Sequence, residues 1–593
     1  MSYQKKDSVI GGEFLLFDID SDKIFTMEDF DSDQRMMAES CTDFLEREVI
    51  PLTDKIDSKN HPEIMPELLT KSGELGLLGL SISENYGGMN MSFNTSMLIA
   101  DIVGITGSFS TAYGAHTGIA TLPLKYYGNE DQKKKFLTGL VSGELKGAYC
   151  LTEPDSGSDA NSGKSKAILN SDKSKYIING QKMWISNGGF ADIYIVFAKI
   201  DDDKNLTAFI VEKSREGITM NPEEDKLGIK GSSTRQIFFN DVEIPVENML
   251  GKREGGFKIA LNVLNIGRIK LGAGVLGGCR GIIDNAISYS LERIQFNVPI
   301  SSFGAIKQKL AMMIVQTFSC ESICYRAGDD IEKKISFFQK EGKSLNESEL
   351  EAIELFSVEC AISKIYGSEI LDFVVDEGLQ IYGGMGFSEE APMARPYRDA
   401  RISRIYEGTN EINRMLAFGE LIKRGFQTKE LNLKSAGKKI PTALIKRYFK
   451  IGKLTAENVI QNYKYLFLLL SKYAADSFGL DLEHEQEIIM NLSDIMGETY
   501  VAESVFLRVE KIKLQKGNSI DLEHKENLKR LQLYEANLKI VHCANTIVDS
   551  LPDTKNKLLR LYIRLLTPQP ILNPTKIRRS LAKYIIEKKD YPW

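Results

Sequence analysis

A chain of 593 residues exceeds what one compact core holds, so several domains are expected. Hydrophobic content of 42% with 26% charged residues is that of a soluble globular protein. The formal net charge of −6 argues against a nucleic-acid partner and leaves an acidic ligand dependent on local basic groups.

Residues 1–30 read as an irregular acidic leader. Its start, Met1 to Asp7, has neither a signal-peptide core nor an Arg-rich transit pattern, which suits a cytoplasmic, bacterial protein. Helical spacing dominates 31–147. Met36, Met37, Cys41, Phe44, Leu45 and Val49 recur before Pro51, and Leu68, Leu69, Leu75, Leu77 and Leu78 predict a second helix. Gly and Asn interrupt at 87–90, and further helix covers 92–140. Over 148–250 the character changes to short β-rich runs at 148–151, 176–178, 193–197, 208–211 and 237–239, which predict a small barrel or sandwich. Helix returns over 251–428, with long periodic segments at 259–289, 306–329 and 350–380.

The last segment, 429–593, is a further helical region that opens on a basic stretch. Lys434 to Lys453 holds seven Lys or Arg and no acid. Ile440, Leu444, Tyr448 and Ile451 fall on one helical face, flanked by Lys446, Arg447, Lys450 and Lys453. Such a helix can lie on an anionic membrane. Pro441 interrupts its start, which favours packing on the protein instead. No apolar run reaches membrane-spanning length. The seven cysteines (41, 150, 279, 320, 324, 360 and 543) form no Cys-x-x-Cys and suit a reducing compartment. The five histidines are too dispersed for a metal cluster, and no metal is expected.

The chemistry concentrates in a few strings. In Arg404–Ile412 (RIYEGTNEI) a carboxylate precedes a Gly-Thr break and a helix start, so Glu407 can point into a pocket. There desolvation raises its pKa and fits it to act as a general base. The string from Tyr149 to Asp159 (YCLTEPDSGSD) leaves a strand for a loop of hydroxyls and backbone N–H groups suited to a polar ring edge or a phosphate. Gln181 to Gly189 sets Trp184, one of two tryptophans, beside Ser186 and a turn. Arg293 to Phe296, with Phe303 downstream, offers a guanidinium suited to phosphate. Gln380 to Phe387 is glycine-dense but follows a helix, so it is no Rossmann fingerprint. Asn265 to Arg268 carries no carboxylate, and Gly114, Ala115 and Gly118 are small residues around His116. Taken singly, each string also has a plain structural reading: a solvated helix-start carboxylate, a Ser-Gly turn, a core Trp, surface arginines, close helix packing.

Together, in this order, the strings resemble acyl-CoA dehydrogenases. The resemblance implies a mainly α fold with a central β-barrel domain (helical, β, helical), and the 429–593 extension resembles that of the very-long-chain branch. It implies that Glu407 removes the α-proton of an acyl-CoA thioester while FAD takes the β-hydride. It implies flavin contacts from Tyr149, Leu151, Thr152, Ser158, Trp184, Ser186, Arg293, Phe296, Gln380, Gly384, Thr409 and Glu411. Substrate contacts follow for Ser158, Arg268 and Gly408, and the small residues at 114–118 resemble the acyl pocket of the long-chain branch. The Gln380 and Gly384 segment implies flavin sites built across subunits, hence a homo-oligomer, with a dimer favoured. Electrons would leave through an electron-transfer flavoprotein. An acyl-CoA oxidase and a non-catalytic assembly factor of the same family are the alternatives. Two departures stand out: Asp155-Ser156 where the family more often has Gly-Ala, and Asn297 where it usually has Gly.

Overall fold

The structure, a computed structural model, describes residues 9–516, 520–552 and 556–593. The start of the leader, Met1 to Asp7, lies outside them. Helix Ser32–Phe44 begins at a reciprocal cap, in which Asp31 accepts from the Gln34 N–H (2.8 Å) and Gln34 accepts from the Asp31 N–H (3.1 Å). Helix Ile64–Glu74 ends at Gly76, which takes φ 76°. The left-handed glycine stops the helix, so Leu77 and Leu78 form a separate short turn and Leu75 is exposed, not on a core face as its spacing predicts.

The β region holds eight strands: β1 Gly147–Cys150, β2 Lys166–Leu169, β3 Lys175–Ser186, β4 Ile193–Ile200, β5 Thr207–Glu212, β6 Ile218–Met220, β7 Thr234–Pro245 and β8 Met249–Leu250. They pair in the order β6-β7-β3-β2-β4-β5-β8, with β1 parallel to β4. The path ends at β6 and β8 without a pair that closes it among the described residues. β3 and β7 are each twelve residues long. The Trp184 string is therefore strand up to Ser186, with the expected turn beginning at Asn187. The β3–β7 register slips between Lys182 and Ile185, so Trp184 sits in a bulge with φ 61°.

The helical region after the sheet contains Gly256–Gly274, Leu276–Glu292, Gly304–Lys340, Leu345–Leu355, Ser357–Tyr382 and Asn410–Ile422. The segments predicted at 259–289 and 350–380 are each two helices, parted at Val275 and Phe356. By length and hydropathy, Gly256–Glu292 would pass as a membrane span, contrary to the sequence reading. However, 67% of its apolar window is buried inside the protein, which makes it a core element.

One hydrophobic core runs without interruption through these helices and into the extension, from Ile269 and Phe318 to Leu466, Leu531 and Leu581. The extension contributes Ala456–Phe478, Gln486–Lys516, Ile520–Ser550, Asn556–Leu566 and Pro574–Lys588. The leader is part of the same core. Phe14, Leu15 and Leu16 are buried, the Gly12 N–H donates to Glu359 (2.7 Å), and Lys464 reaches the Phe17 carbonyl (2.9 Å). Pro441 does not interrupt the basic helix. It occupies the first turn of Ile440–Tyr448, where its missing N–H has no intrahelical partner to lose. The apolar face expected there divides: Ile440 is buried and Leu444 packs on the core, while Tyr448 and Ile451 join Ile445 and Phe449 on the surface.

Candidate active site

Glu407 lies between the short turn Arg401–Arg404 and helix Asn410–Ile422, whose N-cap is Thr409 accepting from the Ile412 N–H (3.3 Å). Glu407 and Gly408 are both left-handed, with φ 59° and 82°. A glutamate in that region is strained unless its surroundings hold it. They do so at every carbonyl of the turn. Asn413 donates to the carbonyls of Glu407 (3.3 Å), Gly408 (2.8 Å) and Thr409 (3.0 Å). Arg268 Nε donates to the Glu407 carbonyl (3.3 Å) and its Nη1 to Asn265 Oδ1 (2.6 Å). Lys364 Nζ donates to the Gly408 carbonyl (2.7 Å) and to Asn410 Oδ1 (2.6 Å).

The carboxyl group points at helix Gly256–Gly274. A Cβ built on Gly267 would stand 2.6 Å from Glu407 Oε2 and 2.9 Å from its Cδ, so the carboxyl fills the space a side chain would take. Oε2 is buried with no hydrogen-bond partner. Burial pushes the Glu407 carboxyl up to about 7, against the opposing pull of the Arg268 and Lys364 charges. Such a group is half ionised near neutrality and has an oxygen free to take a proton. Tyr149, at the end of β1, faces the same region: its hydroxyl is buried without a partner, and burial, with the Glu407 charge, holds its pKa well above the usual phenol range.

The strings around Leu151 and Trp184 are tied together from behind. The Met183 N–H donates to the Thr152 carbonyl (2.9 Å). Lys182, fully buried, binds Glu153 Oε1 (2.5 Å) and the Leu151 carbonyl (3.3 Å). In front, Leu151 is nearly buried, Trp184 keeps 54% of its surface exposed, and Ser186 pairs with Thr234 across β3 and β7. Ser158 is exposed in the loop beyond, and Glu411 is exposed in the first turn of helix Asn410–Ile422.

Arg293, Phe296, Gln380 and Gly384 are not among the groups that touch Glu407; all four are exposed. Phe296 and Asn297, with φ 50° and 62°, form the two-residue turn of a hairpin in which Ile294–Gln295 pairs with Val298–Pro299. Asn297 thus keeps the left-handed turn that glycine would give, and Phe296 is pushed out, 88% exposed, edge-on to Phe303 at 5.9 Å. Gln380 and Gly384 stand at the end of helix Ser357–Tyr382, and a Cβ on Gly384 would meet nothing within 4 Å. Tyr289 and Tyr382 stack at 3.9 Å and join the bases of these two projections.

Near β1, His116 donates from Nε2 to the Leu140 carbonyl (2.8 Å) and accepts the Gly147 N–H at Nδ1 (3.1 Å); burial pushes it down to about 4, so it is a neutral strut. On either side a Cβ at Gly114 or Gly118 would meet nothing within 4 Å, although Gly118 is buried.

Three side chains here escaped the sequence reading. Lys364 could have been noticed as the one Lys or Arg in helix Ser357–Tyr382, and Lys182 as a charge at an inward strand position. Asn413 gives no signal beyond helical spacing from Thr409. Arg268 was expected beside the base and substrate; it is beside the base, but its guanidinium is spent on Glu407's backbone and on Asn265, and the residue is almost wholly buried.

The sequence matches the family descriptions "Acyl-CoA dehydrogenase, N-terminal domain" over 31–144, "middle domain" over 148–242 and "C-terminal domain" over 254–420, with a further "C-terminal domain" over 462–564. A probable acyl-CoA dehydrogenase of Bacillus subtilis is 41% identical over 86% of this chain and 86% of that protein. The chain belongs to the acyl-CoA dehydrogenase family. A crystal structure of an acyl-CoA dehydrogenase complexed with FAD from Bacillus anthracis superposes on this dehydrogenase with TM-score 0.94 at 38% identity, covering 99% of this chain and 100% of that one. The very long-chain specific acyl-CoA dehydrogenase of Macaca fascicularis is 38% identical over 67% of this chain, which spans 63% of that protein's length.

FAD is the cofactor of this dehydrogenase, and the residues present fit it. Trp184 is a half-bare indole thrown out by a bulge, Tyr149 has a buried hydroxyl in need of a partner, and Gly384 leaves open space for a close approach.

Proposed function

We propose that this enzyme oxidises a long-chain acyl-CoA thioester to its trans-2-enoyl-CoA, with Glu407 as the base that removes the α-proton. The observation that carries this reading is the Glu407 carboxyl itself: one oxygen buried and unpartnered, held over Gly267, with its pKa lifted to about 7. Desolvation keeps it basic enough to take a weakly acidic proton, and the strained turn keeps it aimed. Bound FAD supplies the acceptor for the β-hydride. Trp184, Ser186, Tyr149, Leu151 and Thr152 would hold its ring, with Thr409 and Glu411 beside the base. Arg293, Phe296, Gln380 and Gly384 would hold its phosphate and adenosine end, with a second copy of the chain completing the site, since all four face outward. Ser158 and Gly408 would meet the thioester's CoA and carbonyl ends, and Arg268 acts through Glu407.

A long acyl chain is favoured by the unfilled space at the buried Gly118. Each methylene buried there contributes about 0.8 kcal/mol. An electron-transfer flavoprotein is the acceptor we assign to the reduced enzyme. Exposed Ile445, Tyr448, Phe449 and Ile451 beside Lys446, Arg447 and Lys450 favour peripheral contact with an anionic membrane, where such substrates partition. In domain terms, 31–147, 148–250 and 251–428 form the dehydrogenase core and 429–593 an added helical domain. The deciding experiment is Glu407→Gln followed by flavin bleaching with a series of acyl-CoA lengths. The variant should retain FAD and bind acyl-CoA but lose ~10²–10⁴-fold in kcat; near-normal turnover would put the base elsewhere.

A further inference from the structure

The Lys364 side chain is fully buried on helix Ser357–Tyr382, directly behind the turn that carries Glu407. A buried ammonium is expensive unless charge and hydrogen bonds compensate it. Its two acceptors, the Gly408 carbonyl and Asn410 Oδ1, are neutral. Burial pushes it down to about 8, and the carboxylate that most strongly opposes this is Glu407. The other charges facing it are Arg268 from helix Gly256–Gly274, Glu369 from its own helix and Glu411 from the helix after the turn.

The second acceptor is anchored further out. Asn410 Nδ2 donates to Ser368 Oγ (3.0 Å) and Glu369 Oε1 (3.1 Å). Arg414, one helical turn beyond Asn410, binds Glu369 (2.8 Å) and reaches Asp494 (2.8 Å) on helix Gln486–Lys516 of the C-terminal extension. The chain Asp494, Arg414, Glu369, Asn410, Lys364 thus runs from the extension to the backbone carbonyl that follows the base.

We propose that Lys364 is a positioning residue for proton abstraction: its buried ammonium locks the left-handed Glu407–Gly408 turn and, beside Arg268, serves as a second counter-charge of the ionised base, and the C-terminal extension braces it through Arg414. This rests on Glu407 being the base. A misplacement of about 1 Å at a reacting group costs on the order of 10²-fold, so the hold on the turn is worth measuring directly.

The test compares Lys364→Met, Asp494→Asn and Glu407→Gln as FAD-loaded enzymes. Two readouts are taken: the pH profile of kcat, and wash-out into D2O of the α-proton of a redox-inert 3-thiaacyl-CoA, which reports proton abstraction without oxidation. Lys364→Met should lose ~10–100-fold in kcat with KM within about twofold. Its acid limb should move to higher pH in both readouts, because removing a neighbouring cation makes the carboxylate harder to ionise. Asp494→Asn should lower kcat a few-fold with the acid limb unmoved. Wild-type kcat in Lys364→Met, or a loss with its acid limb unmoved, overturns the proposal while an inactive Glu407→Gln leaves the base assignment standing. An active Glu407→Gln overturns the base assignment itself. Should Lys364→Met not fold, Asn410→Ala removes the second acceptor and keeps the charge. It should lower kcat about tenfold and leave the acid limb in place, and wild-type kcat there overturns the proposal.

Discussion

Gly267→Ala separates stability from chemistry. Gly267 lies inside helix Gly256–Gly274, where glycine is about 1 kcal/mol less favourable than alanine. The three atoms nearest the new methyl all belong to the end of the Glu407 side chain, at 2.6, 2.9 and 3.3 Å. The helix need not move. The carboxyl must, by roughly 0.5–1 Å to reach ordinary contact distance. A shift of that size at a reacting group costs on the order of 10²-fold in rate. We therefore expect a variant with Tm equal to or above wild type, full FAD content, and kcat down by ~30–100-fold, or about 2–3 kcal/mol of barrier. Thermal unfolding, flavin absorbance and stopped-flow bleaching by acyl-CoA measure the three. A variant that is stable and turns over normally would refute the claim that Glu407 works from the space above Gly267.

Further outcomes follow from the same geometry. The kcat of the wild-type enzyme should rise with pH through about 7, as the Glu407 carboxyl ionises. Because that carboxyl's folded pKa lies above its ordinary value, its protonated form is the one the fold favours; stability from this group is present below about 4.5 and is lost as pH rises through about 7. Glu407→Gln should accordingly raise Tm at pH 8 relative to wild type more than it does at pH 5. Gly118→Leu should fill the void beside His116 and shift kcat/KM toward shorter acyl chains, each excluded methylene costing about 0.8 kcal/mol, read from a chain-length series. Co-sedimentation with anionic vesicles at low salt should pellet the protein, and neutralising Lys446, Arg447 and Lys450 together should release it without changing turnover of a soluble acyl-CoA.

The parts of this molecule written in local sequence were legible. The Glu407 string announced its turn and the helix start after Gly408-Thr409 because both are set by a few consecutive residues. The strands at 193–197 and 208–211 were legible as continuous apolar runs, since β4 and β5 are buried on both faces. β2 was not: it offers one buried residue, Ala167, between Lys166 and an exposed Ile168, and it exists because β3 and β4 flank it. The exposure of Trp184 could not be read either, because it comes from a register slip between β3 and β7, a property of pairing rather than of either strand. Lys364 was hidden for the same reason. A lone lysine between Ile362 and Ile365 hints at a buried charge, but its partners lie 44 and 46 residues away. The leader looked irregular; over its described residues, 9–30, it is a run of short helical turns, and its packing in the core depends on residues hundreds of positions distant.

That distance sets an order of events during synthesis. Glu28 pairs with Arg508, 480 residues later, and Lys511 caps the Ile24 carbonyl across 487. At ~5–20 residues per second, these partners leave the ribosome about half a minute to a minute and a half after the leader does. Phe14, Leu15 and Leu16 stay without their final packing throughout that interval, while the core from residue 31 onward has time to assemble. The leader therefore docks only after helix Gln486–Lys516 has been made, on a dehydrogenase core whose active-site elements are already complete.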